Sequence, residues 1–516
     1  MSHIVDTLLT DLRSLVTDLG KDGGLMGASI YDTAQVLRLY PAQERIEPAI
    51  GWLLGQQQAD GGWGYAALPH ARDAPTLATI LALHAYTHRA EIREALHHGL
   101  AFLADHAPIW LAPLPSDLPT GIELVLPKLL DEAASIGLAV AQQPYAALMA
   151  LGERRRQRIR RMQPGPGSTP AYSWEAWGAT PDPALLDPTG GVGHSPAATA
   201  AWLRATGNDL QLVESRQLAE RYLRQAAAAT ITPTSGVFPS VWPITRYEQA
   251  FAWYALLVAG LLKHPALADV VQPQLAELSR ALQPAGLGFT DFFIADGDDT
   301  AAAIAVLQVA GYQPDLAILQ QFADQDHFRT YPHELQASIT TTARAIHALA
   351  LAGEDVTRWY PLLLRSQQAD GRWSGDKWNS SWTYTTWHVL LALQNSGYQV
   401  AMQAGGHAFV RYQHEDGGWG IGTEATAVET AYGVLALYTL IANGLRDESF
   451  VLALRRGYQW LLQEYQPGTL PCEPRWINKE LFCPPRIDRV FILSALLVVA
   501  LNDDRQSGDL ELARAI

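Results

Sequence analysis

The sequence predicts an all-α protein built from stacked helix pairs, and three observations carry that prediction. Ala- and Leu-rich segments with helical spacing alternate with Gly/Pro/Asp breaks almost to the end of the 516 residues. Extended period-2 alternation, the mark of half-buried strands, is scarce. A short motif also recurs. Gln57-Gln58-Ala59-Asp60-Gly61-Gly62-Trp63-Gly64 returns as Gln367-Gln368-Ala369-Asp370-Gly371-Arg372-Trp373 and again as Gln413-His414-Glu415-Asp416-Gly417-Gly418-Trp419-Gly420. Repeated helix pairs imply a solenoid or a closed α/α toroid.

Residues 4–19 place Ile4, Leu8, Leu12, Leu15, Val16 and Leu19 at helical spacing, and Gly20 with the Gly23-Gly24 pair ends that helix. Further helices are predicted over 75–86, 128–142, 196–205, 214–229, 246–262, 299–310, 338–352, 383–396, 425–443 and 486–501. Trp373 and Trp419 are 46 residues apart, about one helical hairpin with its loops. Each copy of the motif lies between two helical segments. Asp-Gly makes the turn, Trp covers neighbouring helix ends, and Gln reaches exposed backbone groups. These tryptophans are assigned to holding the fold, not to chemistry.

Composition narrows the function. A net charge of -15 argues against nucleic acid or an anionic membrane as the main partner. Cys472 and Cys483 are too few for a disulfide framework and lack a zinc pattern, which fits a reducing cytosol. The N-terminus has no basic region followed by an apolar segment, and the longest apolar runs, at 253–262 and 491–501, are about 11 residues, too short for a bilayer. A soluble, cytoplasmic chain of two or more domains is expected.

The chemistry concentrates in Phe292-Phe293-Ile294-Ala295-Asp296-Gly297-Asp298-Asp299-Thr300-Ala301. Three carboxylates within four residues, beside apolar neighbours, cannot all ionise cheaply if buried. At least one then holds its proton near neutral pH, as a reaction that begins by protonating an alkene requires. Two plainer readings compete. A calcium loop fails because its twelfth position from Asp296 is Leu307, not an acid. A turn closed by a helix cap stays open, since Gly297 suits the turn and Asp or Thr the cap.

With the repeats and the acid stretch taken together, the chain resembles bacterial class II diterpene cyclases, relatives of squalene–hopene cyclases and of plant copalyl diphosphate synthases. Further segments carry the resemblance: Ser29-Ile30-Tyr31-Asp32-Thr33-Ala34, Gly121-Ile122-Glu123-Leu124-Val125-Leu126-Pro127, His194-Ser195-Pro196-Ala197-Ala198-Thr199-Ala200, Phe328-Arg329-Thr330-Tyr331, Asp376-Lys377-Trp378 and Trp476-Ile477-Asn478-Lys479. It implies two α/α-barrel domains, β and γ, with the cavity between them. The first helix (1–21) belongs to β, γ is inserted at 22–265, and β resumes over 266–516.

The resemblance also implies the roles. Asp298, flanked by Asp296 and Asp299, protonates the terminal alkene of geranylgeranyl diphosphate, and two rings close with the diphosphate retained. Tyr331, Trp378, Trp382, Tyr384 and Trp387 from one half, and Trp242 from the other, are candidates to stabilise cations. The basic run at Arg154-Arg155-Arg156, Arg158, Arg160 and Arg161, with Lys377 and Lys479, offers diphosphate ligands; a solvated helix face is its plainer reading. Magnesium is the expected cofactor, with Glu123 as a ligand. The plant enzymes end the reaction with a histidine and an asparagine, and here Tyr172 and Ser240 stand at those positions, so a rearranged halimane or clerodane skeleton is admitted. A separate class I terpene synthase is the expected consumer of the product. Asp503-Asp504-Arg505-Gln506-Ser507 with Glu511 looks loosely like a class I metal motif, but no Asp-Asp-x-x-Asp accompanies it upstream, and it is assigned to chance. Three readings stand behind the first: a squalene–hopene-type triterpene cyclase, whose relatives are longer chains that dip into membranes; a non-catalytic toroid that binds a peptide or lipid; and a prenyltransferase subunit, for which the zinc ligands are missing.

Overall fold

The computed structural model describes residues 2–115, 117–332, 334 and 336–508, with side chains described from 3 to 502. The Asp503–Glu511 stretch therefore lies outside the described side chains. Six helices close into a ring: Thr245–Val258, Gly297–Ala310, Ile339–Leu351, Trp382–Ala392, Ala427–Ala442 and Pro485–Gly508, the last packing back on the first. Ala268–Ala281, Tyr360–Arg365, Gln399–Arg411 and Glu448–Glu464 lie outside this ring, and Ser2–Thr17 joins them between Pro485–Gly508 and Ala268–Ala281. A second ring is formed by Ile30–Leu39, Asp73–Leu83, Ile122–Ser135, Trp174–Trp177 and Pro196–Thr206, with Ile46–Gly55, Ala90–His106, Ala146–Ile159 and Val213–Ala228 outside it. The all-α, double α/α-barrel architecture follows directly.

The two layers explain the sequence pattern. An inner helix is covered by its ring neighbours and by the outer layer, so it carries no polar stripe: every residue of Trp382–Ala392 is buried. An outer helix keeps one face in water, as Ser2–Thr17 does by burying Val5, Leu8, Leu12 and Val16. Those side chains share one apolar core with residues 241–500. The helix Thr245–Val258 belongs to that core too. The division expected at 265 put it in the inserted unit; its packing on Gly297–Ala310 and Pro485–Gly508 places it in the larger ring instead. Sequence could not tell these apart, because an apolar helix fits either ring.

The repeated motif does one mechanical job three times. The indole N–H of Trp63, Trp373 and Trp419 donates to the carbonyl ten residues earlier, on Leu53, Leu363 and Phe409, at 2.7, 2.6 and 2.8 Å. The amides of Gln57, Gln367 and Gln413 each donate twice: to the turn's own glycine carbonyl, and to the next outer helix at Ala95, Ala401 and Ala453. Each Trp thus seals a helix end while its Gln ties the turn to the following helix. Trp419 is 0% exposed. Trp419→Ala is expected to cost about 3–5 kcal/mol of stability through the cavity it leaves and the orphaned Phe409 carbonyl, read as a lowered thermal midpoint.

Candidate active site

Asp296, Asp298 and Asp299 sit at the N-terminus of the helix Gly297–Ala310, and the cap reading is correct for one of them. Asp296 is the N-cap: its Oδ1 accepts from the backbone N–H of Asp298 at 2.9 Å and of Asp299 at 2.8 Å. Capping and acid chemistry are compatible, since the cap orients the other two carboxyls. Gly297 is required here by close approach: a Cβ would stand 2.2 Å from the Arg329 carbonyl oxygen.

Burial sets the electrostatics. It pushes the Asp296 carboxyl up to about 7, against the backbone donors that pull it down, with the Asp298 charge pushing the same way as burial. Burial, then the charges of Asp296 and Asp298, hold Asp299 well above the ordinary carboxylate range. Asp298 is raised by burial too, but the guanidinium of Arg344 opposes that rise by charge and by hydrogen bond. Of the three, Asp298 keeps the most surface, 7% against 1% for each neighbour. Tyr331 Oη donates to Asp296 Oδ2 at 3.4 Å.

Arg344 was not singled out by the sequence reading, and it organises the site. It lies on the inner helix Ile339–Leu351 and is fully buried. One Nη donates to Asp298 Oδ1. The other donates to Tyr384 Oη at 2.5 Å and to His388 Nε2 at 3.2 Å. Its guanidinium lies 4.4 Å over the Phe251 ring and 5.2 Å from that of Tyr254. Burial lowers the proton affinity of His388, leaving a neutral acceptor beside the guanidinium. A lone arginine in the otherwise uncharged stretch Ile339-Thr340-Thr341-Thr342-Ala343-Arg344-Ala345-Ile346 was the available signal, since a buried cation demands an anionic partner.

The three carboxyls face a cavity of about 250 Å³ between the rings. An aromatic wall of Tyr247, Phe251, Phe289, Phe293, Trp476 and Phe482 lines it, and Glu123, Arg155, Arg158 and Tyr172 line it as well. Tyr247 stacks on Phe289 with ring centres 4.8 Å apart, and its buried hydroxyl has no partner among the described residues. None of these six aromatics was predicted. They come from loops, a short hairpin and an inner helix whose convergence leaves no local pattern.

Of the residues singled out beforehand, Tyr331, Trp378, Tyr172, Arg158, Lys377 and Glu123 line the cavity. Trp378 donates from Nε1 to Thr330 Oγ1 at 2.7 Å, and Lys377 Nζ pairs with Glu334 at 2.8 Å. Glu123 stands 3.4 Å from Arg155 Nε, and burial raises its carboxyl. The other candidates lie elsewhere. Trp242 packs on Tyr222 and donates to the Asp22 carbonyl at 3.2 Å. Trp382 is wedged against Phe409 and Tyr412 in the helix layer, and Trp387 against Tyr432 and Phe491. Tyr384 is one step behind the wall, reaching the acids only through Arg344. Arg161 is exposed and off the wall. Lys479 is buried behind Tyr172, paired with Glu175 at 2.6 Å and 4.3 Å over the Tyr172 ring, so its charge is already matched. Trp382, Tyr384 and Trp387 fell out because a fully buried inner helix turns most of its side chains toward neighbouring helices. Tyr172 Oη donates to the Ser240 backbone carbonyl at 3.1 Å, and the Ser240 hydroxyl is buried without a partner among the described residues.

The squalene-hopene cyclase C-terminal domain family matches residues 320–493. The chain is 49% identical to the (+)-kolavenyl diphosphate synthase of Herpetosiphon aurantiacus, over 98% of this chain and 99% of that protein. It is 30% identical to the ent-copalyl diphosphate synthase of Streptomyces sp. KO-3988, over 92% of each. Among solved structures, ent-copalyl diphosphate synthase from Streptomyces platensis superposes with a TM-score of 0.78 at 27% identity, covering 96% of this chain and 99% of that one. A buried acid cluster facing an aromatic cavity between two α/α barrels, and near-full-length similarity to these synthases, agree: the chain belongs to the bacterial class II diterpene cyclases.

Proposed function

We propose that this enzyme protonates the terminal alkene of geranylgeranyl diphosphate from Asp298 and closes two rings, leaving a bicyclic diterpenyl diphosphate. The observation that carries the reading is Asp298 itself: raised by burial, held by Arg344, and the most exposed of three clustered acids on an aromatic-lined cavity. The proton moves from the Asp298 carboxyl to the terminal alkene carbon, and Arg344 stabilises the carboxylate left behind. Successive alkenes attack the tertiary cation, the aromatic wall shields it from water, and loss of a proton ends the sequence. The C–O bond to the diphosphate never breaks.

Arg155 and Arg158, which also line the cavity, are proposed to meet the diphosphate. Among the described residues no group of three His, Cys, Asp or Glu side chains could hold a metal. Magnesium stays the expected cofactor, and Glu123, which lines the cavity, is the carboxylate that would hold it. Bound there, the ion would neutralise diphosphate charge. A rearranged, clerodane-type skeleton is favoured by the similarity to the kolavenyl diphosphate synthase and by Tyr172 and Ser240 at the position of the plant dyad. We place the enzyme in the cytoplasm, upstream of a separate class I synthase that ionises the product. Among the described residues no helix is long and apolar enough to cross a membrane.

The test is incubation with geranylgeranyl diphosphate and magnesium, then gas chromatography–mass spectrometry of the dephosphorylated products, with squalene in parallel. A new bicyclic C20 alcohol is expected. Geranylgeraniol alone, or a cyclised squalene, overturns the reading. The rate should also fall with alkali. The acids work protonated and burial raises all three above the ordinary carboxylate range, so the active form is full at low pH and is lost as pH climbs through that raised range. Turnover is then expected to drop about tenfold per pH unit, checked by a pH–rate profile on protein that stays folded.

A further inference from the structure

We infer that Cys472 and Cys483 form an oxidative modification site, at which a peroxide joins the two thiols in an intramolecular disulfide that closes the segment carrying one wall of the cavity. They are the only cysteines in the 516 residues, 11 positions apart, and both are free thiols. The fold brings their side chains to one spot. A methyl group built on Gly27 would touch Cys483 Cβ at 3.3 Å and Cys472 Sγ at 3.4 Å, so both side chains converge where that glycine leaves room. The Gly27 N–H donates to the Cys483 carbonyl at 2.8 Å, holding this arrangement from the other barrel's side. Cys483 Sγ lies 3.5 Å from the carbonyl oxygen of Pro471, the residue before Cys472.

The two thiols are unequal, as an oxidisable pair requires. Cys472 is exposed and Cys483 is buried. A hydrogen bond between them pulls the Cys472 thiol down and, with burial, pushes the Cys483 thiol up. Cys472, the exposed residue of the pair, therefore ionises first and meets oxidant first, and the buried Cys483 resolves. The Cys472 thiolate attacks one peroxide oxygen, the O–O bond breaks, and the sulfur is oxidised to a sulfenic acid. The departing hydroxide leaves as water with the proton Cys472 released on ionising. Cys483 sulfur then attacks the sulfenic sulfur, and the hydroxyl leaves as a second water with the Cys483 proton. Two thiols and one peroxide give one disulfide and two waters.

The bracketed segment is functional ground. The strands Trp476–Ile477 and Leu481–Phe482 pair between the two cysteines, and Trp476, Ile477, Asn478 and Phe482 all line the cavity. Asp488 links the thiol to that wall: its Oδ2 accepts from Cys483 at 3.4 Å and its Oδ1 from the Trp476 indole at 3.1 Å. The disulfide removes the thiol donor from this buried carboxyl and ties both ends of the hairpin.

The assignment is independent of the cyclase reading, because it is tested by counting thiols. Full-length protein is treated with hydrogen peroxide, denatured, and titrated for free thiols alongside an intact-mass measurement. Two thiols should fall to none in a monomer about 2 Da lighter, with a reducible peptide joining Cys472 to Cys483 and a thermal midpoint higher by a few degrees until a dithiol is added. In Cys483→Ser the same treatment should leave Cys472 as a sulfenic acid captured by dimedone, and in Cys472→Ser the remaining thiol should persist. Two unreacted thiols, mass gains of about 32 or 48 Da from over-oxidation, or cysteine-linked dimers would each overturn it.

Discussion

Asp298→Asn is expected to lower turnover at least about 1,000-fold on a protein that remains folded. Asparagine keeps the volume and can still accept a hydrogen bond from Arg344 through its amide oxygen, so the buried guanidinium is not left without an acceptor. It has no proton to give an alkene. The cost to stability comes from losing the buried charge pair, for which complete breakage would cost about 3–5 kcal/mol and retention of an acceptor less. A thermal melt therefore accompanies the assay. Turnover within tenfold of the parent on folded protein would move the acid to Asp299, whose proton is held even more firmly by burial and by its two charged neighbours.

Arg344→Met should lower turnover about 10- to 100-fold and shift the alkaline limb of the pH–rate profile upward. The two effects share a cause. Without the guanidinium, burial acts on Asp298 unopposed, so the carboxyl holds its proton to higher pH and gives it up less readily. A residue that only filled space would change the rate without moving the limb. Arg344→Lys supplies the discriminating control. It keeps a positive charge near Asp298 but loses the second fork that reaches Tyr384 and His388, so it should restore part of the rate and return the limb toward its original position.

The two predictions depend on a pair of residues 46 positions apart, and only one of them was visible in the sequence. Asp298 announces itself because like-charged side chains crowd a short apolar stretch. Arg344 is a single basic residue in an ordinary-looking helix, and nothing local says that its neighbour across the ring is Asp298. The diphosphate candidates divide the same way. Arg158 and Lys479 are equally plain basic residues in sequence, yet one lies on the cavity wall while the other is already paired with Glu175 behind Tyr172. Charge is legible in sequence; whether it is already spent on a partner is not.

The sequence by itself determined the elements and the cluster of three carboxylates. Helical periodicity, Gly and Asp at the turns, and the recurring Gln and Trp act over one or two turns of chain, so their physical consequences are local and can be read in order. It also placed Asp296 where a helix begins, and the cap reading holds there. Tertiary structure decided what those elements enclose. Ring closure puts Thr245–Val258 beside Pro485–Gly508, sets Tyr247, Phe289 and Trp476 on one wall from three distant segments, and turns Trp382 and Trp387 away from it. A fully buried inner helix has no polar stripe to reveal which way each side chain faces, so cavity lining and core packing look alike until the ring is closed.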